Sequence, residues 1–218
     1  MRRMYDDDVL RRWQRGWSQA REWTDYAEVD GVIVVRIGEP DRRVEYLTTE
    51  QHATTAARMA HTDANPAGSS WLKITTTSPS RVAAVLHPLE LIRTERLLTI
   101  SLSDQPASQV PGSYELEVSA MPGLIDVELR TDGKTAASGR MSVLGADAVA
   151  DVIYTAPPHR RRGLAHAVMT ALADAALDQG ATTGLLSASA EGLPLYESLN
   201  WSPVADLVVG RTGLLSGG

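Results

Sequence analysis

The sequence predicts an α/β (α+β) fold, with a mixed and mostly antiparallel central sheet flanked by helices. Three features carry this expectation. Short β-rich runs recur between Gly, Pro, Asn and Asp residues along the chain. Residues 114–144 alternate apolar and polar side chains and turn at Thr131-Asp132-Gly133-Lys134, the pattern of an antiparallel meander. Residues 9–27 and an alanine-rich run ending at Gln179-Gly180 carry apolar residues at helical spacing.

Composition narrows the classes. A chain of 218 residues is long enough for one large or two small domains. Without cysteine, thiol catalysis, disulfides and thiolate metal sites are excluded. His52, His61, His87, His159 and His166 are scattered without metal-ligand spacing, so no metal site is expected. The net charge of -6 argues against general nucleic-acid affinity, although a local basic patch would still bind one. Met1-Arg2-Arg3-Met4 lacks the apolar run of a secretory signal, and no stretch approaches the ~20 apolar residues that cross a bilayer. A cytoplasmic protein without a membrane partner is expected.

Taken in order, residues 9–27 read as a helix with Leu10, Trp13, Trp17 and Ala20 on one stripe. The stripe fits docking on a partner or membrane, or packing within its own domain, and the second is the commoner use. Residues 31–37 and 43–47 form a hairpin around Gly38-Glu39-Pro40-Asp41. A helix from Thr49 to about His61 is broken by Asn65-Pro66-Ala67-Gly68. A strand at 71–77, a helix at 80–91 kinked or ended near Pro88, and a strand at 96–102 follow. The Pro- and Gly-containing stretch 106–113 reads as a linker between domains at 1–105 and 114–218.

In the second half, Val152-Ile153-Tyr154 is a strand ending at Ala156-Pro157-Pro158, because proline cannot continue a ladder. His159-Arg160-Arg161-Arg162-Gly163-Leu164-Ala165 then opens a helix whose Leu164, Val168, Leu172, Ala175 and Ala176 share one face, with Gly180 as its stop. The first N–H groups of a helix have no internal partner and the peptide dipoles leave positive charge there, so this turn suits a pyrophosphate. Strands at 183–189 and 201–209 flank a short helix at 191–200.

Arg160-x-x-Gly163-x-Ala165, between a strand and a long helix, resembles the acetyl-coenzyme A motif of the GNAT family of N-acetyltransferases. Downstream, Leu195-Tyr196-Glu197-Ser198-Leu199-Asn200-Trp201 is similar to that family's second signature, in the right order and with one strand between. The resemblance covers about residues 114–210 and implies a GNAT-like fold, an amine acceptor and acetyl-CoA as cosubstrate.

The resemblance also implies roles. Ile153, Tyr154 and Thr155 would offer backbone groups to the pantetheine arm where their strand splays from its neighbour. Arg160, Arg161, Arg162, Gly163, Leu164 and Ala165 would hold the pyrophosphate. Ser189 stands where many relatives have a cofactor-contacting asparagine. Tyr196 would be the general acid at the leaving thiolate, and Asp151 the base that takes the amine proton, usually through water. Asp151 reads equally well as a solvated residue at a strand start. Glu115, Glu117, Asp126 and Glu128 compete with it for the base role.

The sequence departs from the pattern at three places. Arg161 stands where glycine is common, Ala165 where glycine is preferred, and Asn200-Trp201 where Gly-Phe is usual. Arg161 would either crowd the pyrophosphate or reach the adenosine phosphate.

The first half repeats the order of the second: two strands, helix, strand, helix, strand. Its matching turn, Thr48-Thr49-Glu50-Gln51-His52, has no glycine or arginine, and Glu50 would repel a phosphate. Tandem GNAT-like halves, the first degenerate, are therefore expected, against an unrelated small α/β domain. The expected activity is N-acetylation of an amine, a small molecule sooner than a protein, by a monomer or homodimer. The alternatives are a noncatalytic acyl-CoA sensor or scaffold, and a nucleic-acid-binding module using Arg160 to Arg162.

Overall fold

A computed structural model describes residues 2–63, 69–87 and 89–212. Its elements are α1 (Arg2–Ala20), β1 (Tyr26–Val29), β2 (Val32–Glu39), β3 (Arg42–Thr49), α2 (Ala53–Thr62), β4 (Ser70–Thr76), α3 (Pro79–Leu86), β5 (Glu90–Ser101), β6 (Glu115–Met121), β7 (Leu124–Thr131), β8 (Lys134–Leu144), β9 (Asp147–Thr155), α4 (Leu164–Asp178), β10 (Thr183–Ala188), α5 (Leu193–Ser198) and β11 (Ser202–Arg211). The mixed, mostly antiparallel sheet flanked by helices is the architecture expected from the sequence. Among the described residues no helix is long and apolar enough to cross a membrane.

The chain divides into two compact units. Met1–Arg11, Trp23–Leu97 and Pro203–Gly218 make the first, and Arg12–Glu22 with Leu98–Ser202 the second. This differs from the linear division expected at 106–113. That stretch is held against α4 inside the second unit, where Gln105 Nε2 donates to the Met169 carbonyl at 2.8 Å and the Ser108 N–H to Thr170 Oγ1 at 3.1 Å. A run rich in proline and glycine reads as a linker, yet side-chain bonds to a helix sixty residues away tie it down.

In the first unit the strand order is β1-β2-β3-β4-β11-β5. β3 and β4 run parallel, and β11 lies antiparallel to β4. Val34, Val44, Tyr46, Leu72, Ile74 and Val208 bury one face of this sheet with Ala53, Ala56 and Ala60 of α2 and Val82 and Leu86 of α3. The helix expected over 80–91 stops at Leu86. His87 takes φ −57° and ψ 129°, the extended conformation that a following proline imposes. The expected break at Asn65-Pro66-Ala67-Gly68 and the conformation of Pro88 lie outside the described residues.

The second unit has the order β5-β10-β9-β8-β7-β6. β6 to β9 form the expected antiparallel meander, and Asp132 and Gly133 turn β7 into β8 with φ of 49° and 72°, both left-handed as a tight hairpin requires. On one face Ile125, Val127, Leu129, Ala137 and Met141 pack with Leu164, Val168, Leu172 and Ala176 of α4. Burying each large apolar side chain contributes about 1.5–3 kcal/mol, so this helix is fixed as a platform. Gly180, with φ 86°, ends its last turn.

The helix expected over 9–27 ends at Ala20, and Tyr26–Val29 is a strand instead. Glu22 adopts φ 61° and terminates the helix without the glycine that would have marked the stop in the sequence. The stripe is used as core: Leu10, Trp13, Trp17 and Ala20 are all buried, and the rings of Trp13 and Trp17 stack at 5.4 Å.

Candidate active site

The site grows from a defect in β9. Ser138 pairs with Tyr154 and Arg140 with Asp151, so the single residue Gly139 of β8 faces two residues of β9, Val152 and Ile153. This is a β-bulge, and its Val152 has φ 54°, a conformation a β-branched residue adopts only under constraint. Gly139 is required opposite it. A Cβ there would stand 2.6 Å from Ile153 Cδ1 and 2.7 Å from Val168 Cγ1.

On its other side β9 pairs in parallel with β10 through Asp147, Ala148 and Val149, and the ladder stops there. Beyond Val149 the strands part. Ile153, Tyr154 and Thr155 therefore lie past the end of the β10 ladder, with backbone groups on that edge available to an extended ligand.

After β9, Pro157 to His159 form a single 3-10 turn and Arg160 is extended. Arg161 (φ 61°) and Gly163 (φ 78°) are both left-handed, and α4 begins at Leu164. The first bond of α4 runs from the Ala167 N–H to the Gly163 carbonyl at 3.2 Å, which leaves the N–H groups of Leu164, Ala165 and His166 without partners inside the helix. A Cβ on Gly163 would meet nothing within 4 Å, so the turn is open on that side. Open space, free donors and the helix dipole together fit a phosphate group.

The arginines divide their work. Arg160 Nε donates to the Thr155 carbonyl at 3.2 Å, and Arg162 Nη1 donates to the Tyr114 hydroxyl at 3.2 Å. Arg161 is exposed and makes no hydrogen bond or ion pair among the described residues. Its left-handed backbone explains why glycine suits this position. The same holds for Asn200, at φ 66°, where asparagine tolerates what glycine accepts freely. Ala165 lies in the first turn of α4, where alanine is at ease.

Tyr196 sits on α5, 8% exposed, its ring edge-on to Trp201 at 6.3 Å. Among the described residues nothing hydrogen-bonds its hydroxyl. Burial, and secondarily the charge of Asp151, push its pKa up to about 12. The phenol therefore stays neutral and keeps its proton for a hydrogen bond. Ser189 Oγ accepts the Gly192 N–H at 3.2 Å and so shapes the entry to α5, while remaining exposed.

Asp151 is placed beside the bulge, but not free. Arg21, on the turn after α1, grips both its carboxylate oxygens, with Nη2 at 3.2 Å from Oδ1. Arg21 lies 130 residues away and has no motif around it, so no sequence signal marks it as a partner of Asp151. Of the competing carboxylates, Asp126 is bound by Arg140 at 2.6 and 3.0 Å, which with its own charge raises the guanidinium's pKa, and Glu128 by Arg130 at 2.8 Å. Glu115 and Glu117 are exposed on the edge strand β6.

Comparisons with known proteins agree with this geometry. Residues 95–201 match the model of the "Acetyltransferase (GNAT) family". No curated protein matches the sequence. The fold is similar to that of a GCN5-related N-acetyltransferase from Kribbella flavida, at 13% identity over 98% of this chain and 96% of that one, with a TM-score of 0.72. A GCN5-related N-acetyltransferase from Sphaerobacter thermophilus gives 12% identity, coverage of 98% and 94%, and a TM-score of 0.65. A tandem GNAT protein from the clavulanic acid biosynthesis pathway gives 13%, 98% and 97%, and 0.56. Residues 95–201, which carry the splayed strand, the turn before α4 and the buried tyrosine, are a GNAT acetyltransferase domain.

Proposed function

We propose that the second unit is an acetyl-CoA-dependent N-acetyltransferase that acts on an amine by direct attack. The single observation that carries the reading is the parting of β9 from β10 after Val149, directly before a helix start whose amides are free and whose approach is open. Ile153, Tyr154 and Thr155 would pair with the pantetheine arm. The amides of Gly163, Leu164 and Ala165 would hold the pyrophosphate, with Arg160 and Arg162 bracing the turn and Arg161 reaching the ligand's phosphates. Ser189 would contact the arm at the mouth of α5.

Bound acetyl-CoA would supply a thioester carbonyl. The amine nitrogen forms a bond to that carbon, the C–S bond breaks, and the amine proton leaves to a base. A backbone N–H near Tyr154 meets the charge that develops on the carbonyl oxygen. Tyr196 donates a hydrogen bond to the departing sulfur. With its pKa at about 12 against about 8.5 for a thiol, complete proton transfer from the phenol is uphill, so its contribution is greatest as a donor during bond breaking. Asp151 remains the proposed base, acting through water from within its pair with Arg21.

The first unit, built mainly from Trp23–Leu97, is proposed as a GNAT-like half that holds no cofactor. The small-amine preference rests on the net charge of -6. A second reading, a noncatalytic acyl-CoA sensor, is favoured by one observation: Asp151, the carboxylate beside the bulge, is already engaged by Arg21. The nucleic-acid reading loses support, because Arg160 and Arg162 each commit one donor to the turn, to the Thr155 carbonyl and the Tyr114 hydroxyl.

The test is calorimetric titration with acetyl-CoA of the wild type and of Gly163→Glu. The variant places a carboxylate in the open space before the amides, and binding should fall by more than about 100-fold, since a repelled charge replaces favourable phosphate contacts. Wild-type binding that survives in the folded variant would sink the assignment of the turn. Turnover of an amine by the wild type separates enzyme from sensor.

A further inference from the structure

Tyr114 follows Pro111-Gly112-Ser113 and belongs to no motif. Its N–H bonds to the Pro111 carbonyl at 3.0 Å, which brings the ring back against the body of the second unit, where it is 8% exposed. Its hydroxyl makes two contacts, both to the phosphate-sized turn. Arg162 Nη1 donates to it at 3.2 Å, and His159 Nδ1 lies 3.0 Å away, the histidine ring standing edge-on at 5.7 Å. Since the oxygen accepts from Arg162, its own proton is free for Nδ1.

These contacts bracket the difficult part of the backbone. Between His159 and Arg162 lies Arg161 at φ 61°, and Gly163 follows at φ 78°. A non-glycine residue in the left-handed region persists only where its surroundings hold it. Arg160 is tied to the Thr155 carbonyl at 3.2 Å, on the strand side. Tyr114 supplies the tie on the far side, from a segment 45 residues from His159 and 48 from Arg162.

We infer that Tyr114 is a positioning residue for the cofactor turn, its hydroxyl clamping His159 and Arg162 so that the amides before α4 are fixed in ligand-binding geometry before any ligand arrives. The inference rests on the reading of this turn as the pyrophosphate site. Preorganisation of this kind spares a ligand the entropy of ordering the loop, so its loss appears as weaker affinity with no contact to the ligand removed.

The test is Tyr114→Phe, which keeps the ring and removes the clamp, measured two ways. In the free protein, amide hydrogen exchange across residues 160–163 should quicken by about tenfold while β7, β8 and α4 keep wild-type protection, as the loss of one or two hydrogen bonds implies. The Kd for acetyl-CoA should rise by about tenfold as well. In an Arg162→Ala background Tyr114→Phe should add much less, because the two act through one bond. Unchanged exchange in the turn, or faster exchange throughout the unit, overturns the clamp, and so does an unchanged Kd. If the wild type binds no acetyl-CoA while the turn alone loosens in the variant, the clamp stands and the cofactor assignment falls.

Discussion

Each unit contains a strand, a turn and a helix beside a second, parallel strand, and the two differ in their ladders and in their helix starts. In the first, β3 and β4 stay paired through six residue pairs, from Val44 with Ser70 to Thr49 with Thr75, up to the point where α2 is about to begin. In the second, β9 and β10 share three pairs and separate at Val149, six residues before β9 ends. At the helix starts the contrast is chemical. Glu50 lies in the turn before α2, where Thr76 Oγ1 donates to it at 2.6 Å and Arg81 pairs with it at 3.2 Å. The turn before α4 offers Gly163 and amides that have no partner inside the helix. In one unit the parallel ladder runs up to the helix turn, and in the other it ends at Val149, ahead of the bulge.

The largest effect is expected at Tyr196, where the first unit has His87 of Leu86-His87-Pro88 at the position expected to correspond. Tyr196→Phe should lower turnover by about 100-fold or more, with acetyl-CoA binding kept, because a positioned proton donor is worth that much. A steady-state assay with the amine found by screening reads this, and an unchanged kcat removes Tyr196 from the mechanism. The same variant carries a pH signature. The folded value of about 12 lies above the ordinary value near 10, so the phenol's contribution to stability is whole below about pH 10 and is lost as pH rises through about 12. Between those limits the wild type should lose roughly 3 kcal/mol more than Tyr196→Phe, measured by urea unfolding at stepped pH.

A smaller effect is expected at Glu50. Glu50→Ala removes a hydrogen bond to Thr76 and a largely solvated pair with Arg81, and should cost about 1 kcal/mol in denaturant unfolding. It should create no acetyl-CoA site, because the β3–β4 ladder still fills the place where an extended arm would lie. Binding of a second equivalent of acetyl-CoA to this variant would mean that the side chain alone closes the first unit.

The smallest effect sharpens the comparison at Arg161. Arg161→Gly relieves a left-handed arginine and should stabilise the protein by about 0.5–1 kcal/mol. Titrating the variant with CoA and with 3′-dephospho-CoA locates the guanidinium's partner. A loss confined to CoA places Arg161 at the 3′-phosphate, and an equal gain for both ligands means that the arginine crowds the turn.

Much of this was legible in the chain. Val152-Ile153-Tyr154, the Arg160 to Ala165 turn and the spacing of Leu164, Val168 and Leu172 announce themselves because strand, phosphate turn and buried helix face each have a local signature. The bulge at Val152 was not legible, since it depends on Gly139 and on how Ile153 packs with Val168. The end of α1 was read too late because Glu22 does the work usually left to glycine. Arg21 on Asp151 and Tyr114 on Arg162 join residues 130 and 48 apart, and nothing in their neighbours foretells the pairing.

Periodicity and turn chemistry act over three or four residues, and they were enough for most of the elements, the helix face that is buried and the family of residues 95–201. Three features came only with tertiary structure: the strand that opens, the carboxylate that is engaged by an arginine, and the supposed linker that supplies a clamp. Each depends on which distant segments lie side by side, and that choice is made by packing the whole unit rather than by the preferences of any one stretch.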